Sequence, residues 1–141
     1  MKKWLIGLVP LILISFYLLN NKRHTITIGK YPLTVQLISD TPGFVEIYQN
    51  HDTLKLKGQT ISNDSSGFLY IDGTLSEIQT DSFKLSGIID VKSIEQCCGR
   101  ITKKGNWTFR RMENRDFYRL KERDELCPCD KCCYYIDIHL K

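Results

Sequence analysis

The chain has 141 residues and a net charge of +4, yet Lys2, Lys3, Lys22 and Arg23 account for the whole excess, leaving 16 Lys+Arg against 16 Asp+Glu from His24 onward. A neutral domain lacks the cationic footprint of a nucleic-acid binder, so no nucleic-acid partner is expected. At this length one domain is expected beyond any membrane segment, with a small core that benefits from covalent staples.

Residues 1–23 read as a membrane anchor with basic flanks. The apolar run comprises Trp4, Leu5, Ile6, Leu8, Val9, Leu11, Ile12, Leu13, Ile14, Phe16, Tyr17, Leu18 and Leu19, interrupted by Gly7, Pro10 and Ser15. As a helix it spans roughly 24 Å against a hydrocarbon core of roughly 30 Å, and flanking Lys and Arg side chains reach the interface. A cleaved signal peptide needs small residues at its exit, and the chain contains no alanine there or elsewhere. An uncleaved, single-pass anchor is the reading, with lipid its first partner. Charge alone leaves its direction open, since basic residues flank both ends.

Residues 24–141 read as a mainly β, or α+β, domain built on a curved antiparallel sheet. Thr25–Ile28 alternates and, after the intervening Gly29-Lys30-Tyr31-Pro32, Leu33–Leu37 alternates again. Asp40-Thr41-Pro42-Gly43 is a turn in which proline presets one backbone angle and glycine permits positive φ. Strands follow at Phe44–Tyr48 and Thr53–Lys57. Leu56-Lys57-Gly58, Ile71-Asp72-Gly73 and Leu85-Ser86-Gly87 then repeat a glycine within an apolar strand at a spacing that suits an antiparallel meander. Such glycines mark bulges or close backbone approach, so the sheet is expected to curve there.

Arg100–Thr102 and Trp107–Phe109 flank Lys103-Lys104-Gly105-Asn106, which reads as a hairpin with Ile101, Trp107 and Phe109 inward. Asp116–Leu120 and Tyr134–Leu140 read as a last strand pair joined by the cysteine loop, with one short helix admissible between Met112 and Leu126.

The cysteines are Cys97, Cys98, Cys127, Cys129, Cys132 and Cys133. Disulfides are the first reading: the count is even, and adjacent cysteines bridge each other only with strain, so each pair reaches elsewhere. An oxidising compartment follows, which places the domain outside the cytoplasm, on the periplasmic side of an inner or plasma membrane. Two alternatives stay open. Cys127, Cys129, Cys132 and Cys133 could close a tetrahedral zinc site, zinc being then the only cofactor. Cys129-Asp-Lys-Cys132 could instead serve thiol-redox chemistry, although no βαβ frame precedes it.

No nucleophile elbow, Walker loop or H-E-x-x-H motif is present, so no catalytic residue is assigned and the chain does not read as an enzyme. His24, His51 and His139 are scattered; His24 and His139 are the candidates should the protein sense pH. Residues 24–91 carry 4 basic and 8 acidic side chains, and residues 92–141 carry 12 and 8. Arg110, Arg111, Arg115, Arg119 and Arg123 therefore form either an ordinary solvated surface or a patch for an acidic partner or anionic headgroups.

The basic anchor, Phe68–Gly73, Leu85-Ser86-Gly87, the following hairpin, Phe117–Leu120 and Cys127-Pro-Cys129-Asp130 together resemble the FidL-like bacterial inner-membrane proteins over roughly residues 1–130. The cysteine cluster departs from that pattern. The resemblance implies a build similar to small anchored partners of ToxR-type transmembrane regulators, and hence a domain that binds or regulates another inner-membrane protein, such as a regulator's sensory domain. No residue role transfers with it.

Overall fold

A computed structural model describes residues 26–93, 99–127 and 135–140. The anchor run and the cysteines at 97, 98, 129, 132 and 133 lie outside these residues. Within them the chain forms a closed, up-and-down antiparallel barrel in which each strand pairs with its sequence neighbour and the last pairs with the first. The strands are β1 (Gly29–Val35), β2 (Gly43–Asn50), β3 (Thr53–Ile61), β4 (Phe68–Ser76), β5 (Ser82–Lys92), β6 (Arg100–Arg111), β7 (Tyr118–Leu120) and β8 (Ile136–Ile138). A 3-10 turn, Arg123–Leu126, follows β7. The expected mainly β, antiparallel and curved domain is what forms, and its curvature goes as far as closure.

Alternation decides which residues face inward. Leu33 and Val35, Val45 and Ile47, Leu69 and Ile71, Phe83 and Leu85, Ile89 and Val91, and Trp107 and Phe109 occupy every second position and are buried. An eight-stranded barrel is just wide enough for side chains to fill, and here large aromatics do so. Phe83 stacks on Phe109 with centroids 5.2 Å apart and planes 10° apart, and Tyr118 tilts against Phe83 at 5.6 Å. The outer positions carry mostly charged and polar residues, with Phe44, Ile61, Tyr70 and Ile88 exposed among them. This apolar-in, polar-out order is the reverse of barrels that face lipid. No helix among the described residues is long and apolar enough to cross a membrane.

The strand glycines permit the tight curl. Gly73 and Gly87 lie opposite one another in β4 and β5, and a Cβ on Gly87 would collide with the Asp72 carbonyl oxygen and with Gly73 Cα. Trp107 completes the site from β6. Its indole edge lies 3.5 Å from where a Gly105 side chain would begin, and Nε1 donates to the Gly87 carbonyl at 3.0 Å.

Three local expectations change. Lys103-Lys104-Gly105-Asn106 is not a hairpin turn: β6 runs unbroken from Arg100 to Arg111, paired residue for residue with β5. Gly105 simply faces Gly87 under the Trp107 ring, so its glycine serves packing and not reversal. Gly29-Lys30-Tyr31-Pro32 is likewise strand, and Ile26–Ile28, the described part of the first expected strand, is not. Pro32 is tolerated because its missing N–H points away from β2, beyond the end of β8, while its carbonyl accepts from His139 N–H at 3.0 Å. Gly43 does follow a turn, but its need is space: a Cβ there would strike the Gln59 backbone.

Candidate functional site

Strand direction sorts the connections onto two ends. The chain enters β1 at the end that also carries the 51–52, 77–81 and 112–117 connections and the C-terminus. The opposite end carries the connections 36–42, 62–67, 93–99 and 121–135. All six cysteines fall in the last two of these connections. A meander therefore places the described stems of both cysteine-bearing connections at one end of the barrel. Cys127 itself follows the 3-10 turn, partly buried against the core beside fully buried Leu126. Among the described residues no group of His, Cys, Asp and Glu is arranged to hold a metal.

At that same end the connections 36–40 and 62–64 border a cleft of about 510 Å³. Its acidic rim is set by local hydrogen bonding: the Ser66 hydroxyl and N–H and the Ser62 hydroxyl all donate to Asp64 Oδ1 at 2.6–3.0 Å. These donors, the Ser66 side chain foremost, lower the Asp64 pKa to about 2.

The arginines divide into two kinds. Arg119 projects outward from β7 and makes a bidentate pair with Asp137 of β8, Nε to Oδ1 and Nη2 to Oδ2, both at 2.8 Å. That hydrogen-bonded carboxylate raises the Arg119 pKa above the usual arginine value. Its guanidinium is also sandwiched, 5.0 Å from the Phe117 ring centre and 4.2 Å from that of Tyr135. Arg115 lies over the outer part of Phe117 at 5.7 Å and Arg123 over Tyr135 at 4.4 Å. The result is one ladder, Arg115, Phe117, Arg119, Tyr135 and Arg123, running along the barrel wall. Arg111 turns back to donate to the Arg115 carbonyl at 3.2 Å. Arg110 lies opposite Arg119 and is exposed.

Arg115, Arg119 and Arg123 are thus joined on the outer face with Arg110 beside them, whereas Arg111 shares the inward register of Trp107 and Phe109, and Arg119 is spent internally. Its ladder sutures the narrowest part of the wall, where β7 and β8 contribute three residues each. Phe117, Tyr135 and Asp137, which the sequence reading did not single out, complete it. Only the spacing of aromatics beside Arg119 hinted at them. His139 belongs to the same face, tilted against Phe117 at 5.6 Å and within 3.0 Å of Thr34 Oγ1. His51 occupies the exposed β2–β3 turn, and His24 lies outside the described residues.

Beside the suture, β6 outruns its partner. β7 pairs only with Phe109–Arg111. One step further, Lys121 N–H donates to the Thr108 carbonyl at 2.8 Å, and the Glu122 carboxylate accepts from Thr108 N–H at 2.7 Å. Glu122 thereby replaces the next strand residue. Beyond it, Arg100–Asn106 has β5 on one side and no strand partner among the described residues on the other.

These features define a small, apolar-filled, eight-stranded antiparallel barrel with a sutured seam and a cysteine-bearing end. The chain belongs to the PM1083 family, whose model matches residues 18–140 and so takes in the whole barrel. It is similar to the "Uncharacterized protein PM1083" of Pasteurella multocida (strain Pm70), at 30% identity over 117 residues that cover 79% of this chain and 71% of that protein. No solved structure matches the chain.

Proposed function

We propose that the protein is a non-enzymatic, single-pass envelope protein, anchored in the inner membrane by Trp4–Leu19, whose disulfide-stapled barrel binds or regulates another membrane protein. The observation that carries this reading is the two-ended barrel. The chain enters β1 at one end, and the connections holding all six cysteines leave from the other. An anchor upstream of β1 would hold the first end toward the bilayer and present the second to the periplasm, where disulfides persist. An apolar-filled interior supports a binding module over a carrier of small ligands, since lining side chains occupy the barrel lumen. The resemblance of the sequence layout to FidL-like proteins supports a regulatory partner, such as the sensory domain of a transmembrane transcription regulator.

The run Cys127, Cys129, Cys132 and Cys133 in one connection equally supports a second reading, a thiol-redox or zinc module. One experiment separates these. Full-length chain is purified from crosslinked membranes, and its thiols are counted after denaturation without reductant. The proposal expects a stoichiometric membrane partner and six blocked cysteines. A reactive cysteine pair with no partner would favour redox chemistry, and zinc removable by a chelator together with the fold would favour a metal module. A topology reporter fused after Lys141 should be active only in its periplasmic form.

A further inference from the structure

We infer that the free edge of β6, Arg100–Asn106, is the docking site for the partner, which adds an extended, acidic segment to the barrel as an extra strand; this rests on the partner-binding reading above and names where and how the partner binds. The bonding direction follows from contacts on either side of β6. Arg111 N–H points toward the β5 side, donating to the Asp81 carbonyl at 2.7 Å, whereas Thr108 directs its N–H and carbonyl to Glu122 and Lys121 on the β7 side. With a period of two, Thr102, Lys104 and Asn106 point their main-chain groups the same way as Thr108, and Ile101, Lys103 and Gly105 point theirs at β5. An unpaired row of this kind is a template for strand addition.

Closed barrels remove such edges, and among the described residues Arg100–Asn106 is the longest stretch of strand left with a neighbour on one side only. Glu122 shows how an edge is terminated when pairing must stop, by a carboxylate on the Thr108 N–H. The corresponding donors of Thr102, Lys104 and Asn106 have no acceptor of this kind among the described residues.

Charge selects the occupant. The edge strand carries Arg100, Lys103 and Lys104. Asp90 answers Arg100, at 2.6 Å, and Glu125 answers Lys103, at 3.4 Å. Lys104 is exposed and has no ion pair among the described residues. A second copy of β6 would set lysines and arginines against one another, which strand pairing penalises. An acidic strand would meet Lys104, whose side chain stands on the edge strand itself, and use the free N–H groups.

Amide hydrogen exchange on the full chain in detergent micelles tests this, first alone and then with a synthetic peptide alternating glutamate and valine. Alone, the amides of Thr102, Lys104 and Asn106 should exchange about a hundredfold or more faster than those of Ile101, Lys103 and Gly105. The peptide should slow the first three selectively, while its lysine–valine counterpart should not. Lys104→Glu should weaken the effect about fivefold. Lys104→Pro, which removes a donor that β5 does not use, should abolish it while leaving the β5-facing amides slow. Slow exchange at all six amides in the free chain would mean that the protein covers its own edge. That result, concentration-dependent self-protection, or no protection by millimolar acidic peptide would overturn the inference and leave the partner-binding reading to its own crosslinking test.

Discussion

The two sides of the barrel wall are held together differently. From β2 to β6 the strands are 8–12 residues long and paired along most of their length, so the backbone ladder and the apolar interior do most of the holding. From β7 through β8 to β1 the pairing shrinks to two or three residues per strand pair. There the Arg119–Asp137 fork and the aromatic ladder stand in for missing hydrogen bonds. Long strands tolerate a polar surface that does little. Short ones need their surface residues, which is why arginines that could have served a partner serve the seam.

The largest expected effects lie in the long wall. Gly87→Ala must force β4 and β5 apart at Gly73, and a loss of about 3 kcal/mol or more is expected in denaturant unfolding. Trp107→Ala should cost about 4 kcal/mol, through its cavity and the lost indole hydrogen bond. Ser86→Ala, on the outer face of the same strand, should lie within about 0.5 kcal/mol of the parent. A costly Ser86 or a harmless Gly87 would break the comparison.

At the seam, Arg119→Ala should cost about 2 kcal/mol. It strands the largely buried Asp137 carboxylate, though partial exposure of the pair tempers the loss. Replacing both residues together should cost less than the sum of the single changes, because the stranded charge is gone. Additive losses would mean that the fork does not couple β7 to β8. Glu122→Ala should cost about 1 kcal/mol and speed exchange of the Thr108 amide, whereas Glu122→Gln keeps an acceptor oxygen and should do neither.

The smallest effect concerns acid. Asp64 has a folded pKa of about 2, below its unfolded value of about 3.9, so its contribution is complete above the unfolded value and is lost as pH falls from there through the folded one. Carboxyl titration by NMR should show that low midpoint. Ser66→Ala should move it back toward the ordinary value, since the Ser66 hydroxyl is its main cause. A midpoint near 4 in the unaltered chain would contradict the hydrogen-bonded turn.

Much of this was legible beforehand. Period-two alternation located β2 to β5, and the three strand glycines announced curvature because only close backbone approach requires them there. The β7–β8 pair across the cysteine loop was also readable from Tyr118, Leu120, Ile136 and Ile138. Closure was not, since the β1–β8 pairing joins residues about a hundred positions apart and depends on register. Pro32 and Gly105 misled for a related reason. Both are turn formers by local chemistry, yet one sits where no strand needs its N–H and the other where a tryptophan needs its space. The arginine group was visible as charge, but Asp137 and Tyr135, the residues that commit Arg119 to the seam, come from the far side of the cysteine loop.

Whether the proposed anchored barrel binds a membrane partner along its incompletely paired side is tested by photoreactive residues placed singly at Lys104, on the free edge, and at Gln59, on the outer face of the long wall, in intact membranes containing the full chain. A single stoichiometric membrane-protein adduct is expected from position 104 and none from position 59. Equal labelling from both positions, or no adduct from either, would contradict the proposal.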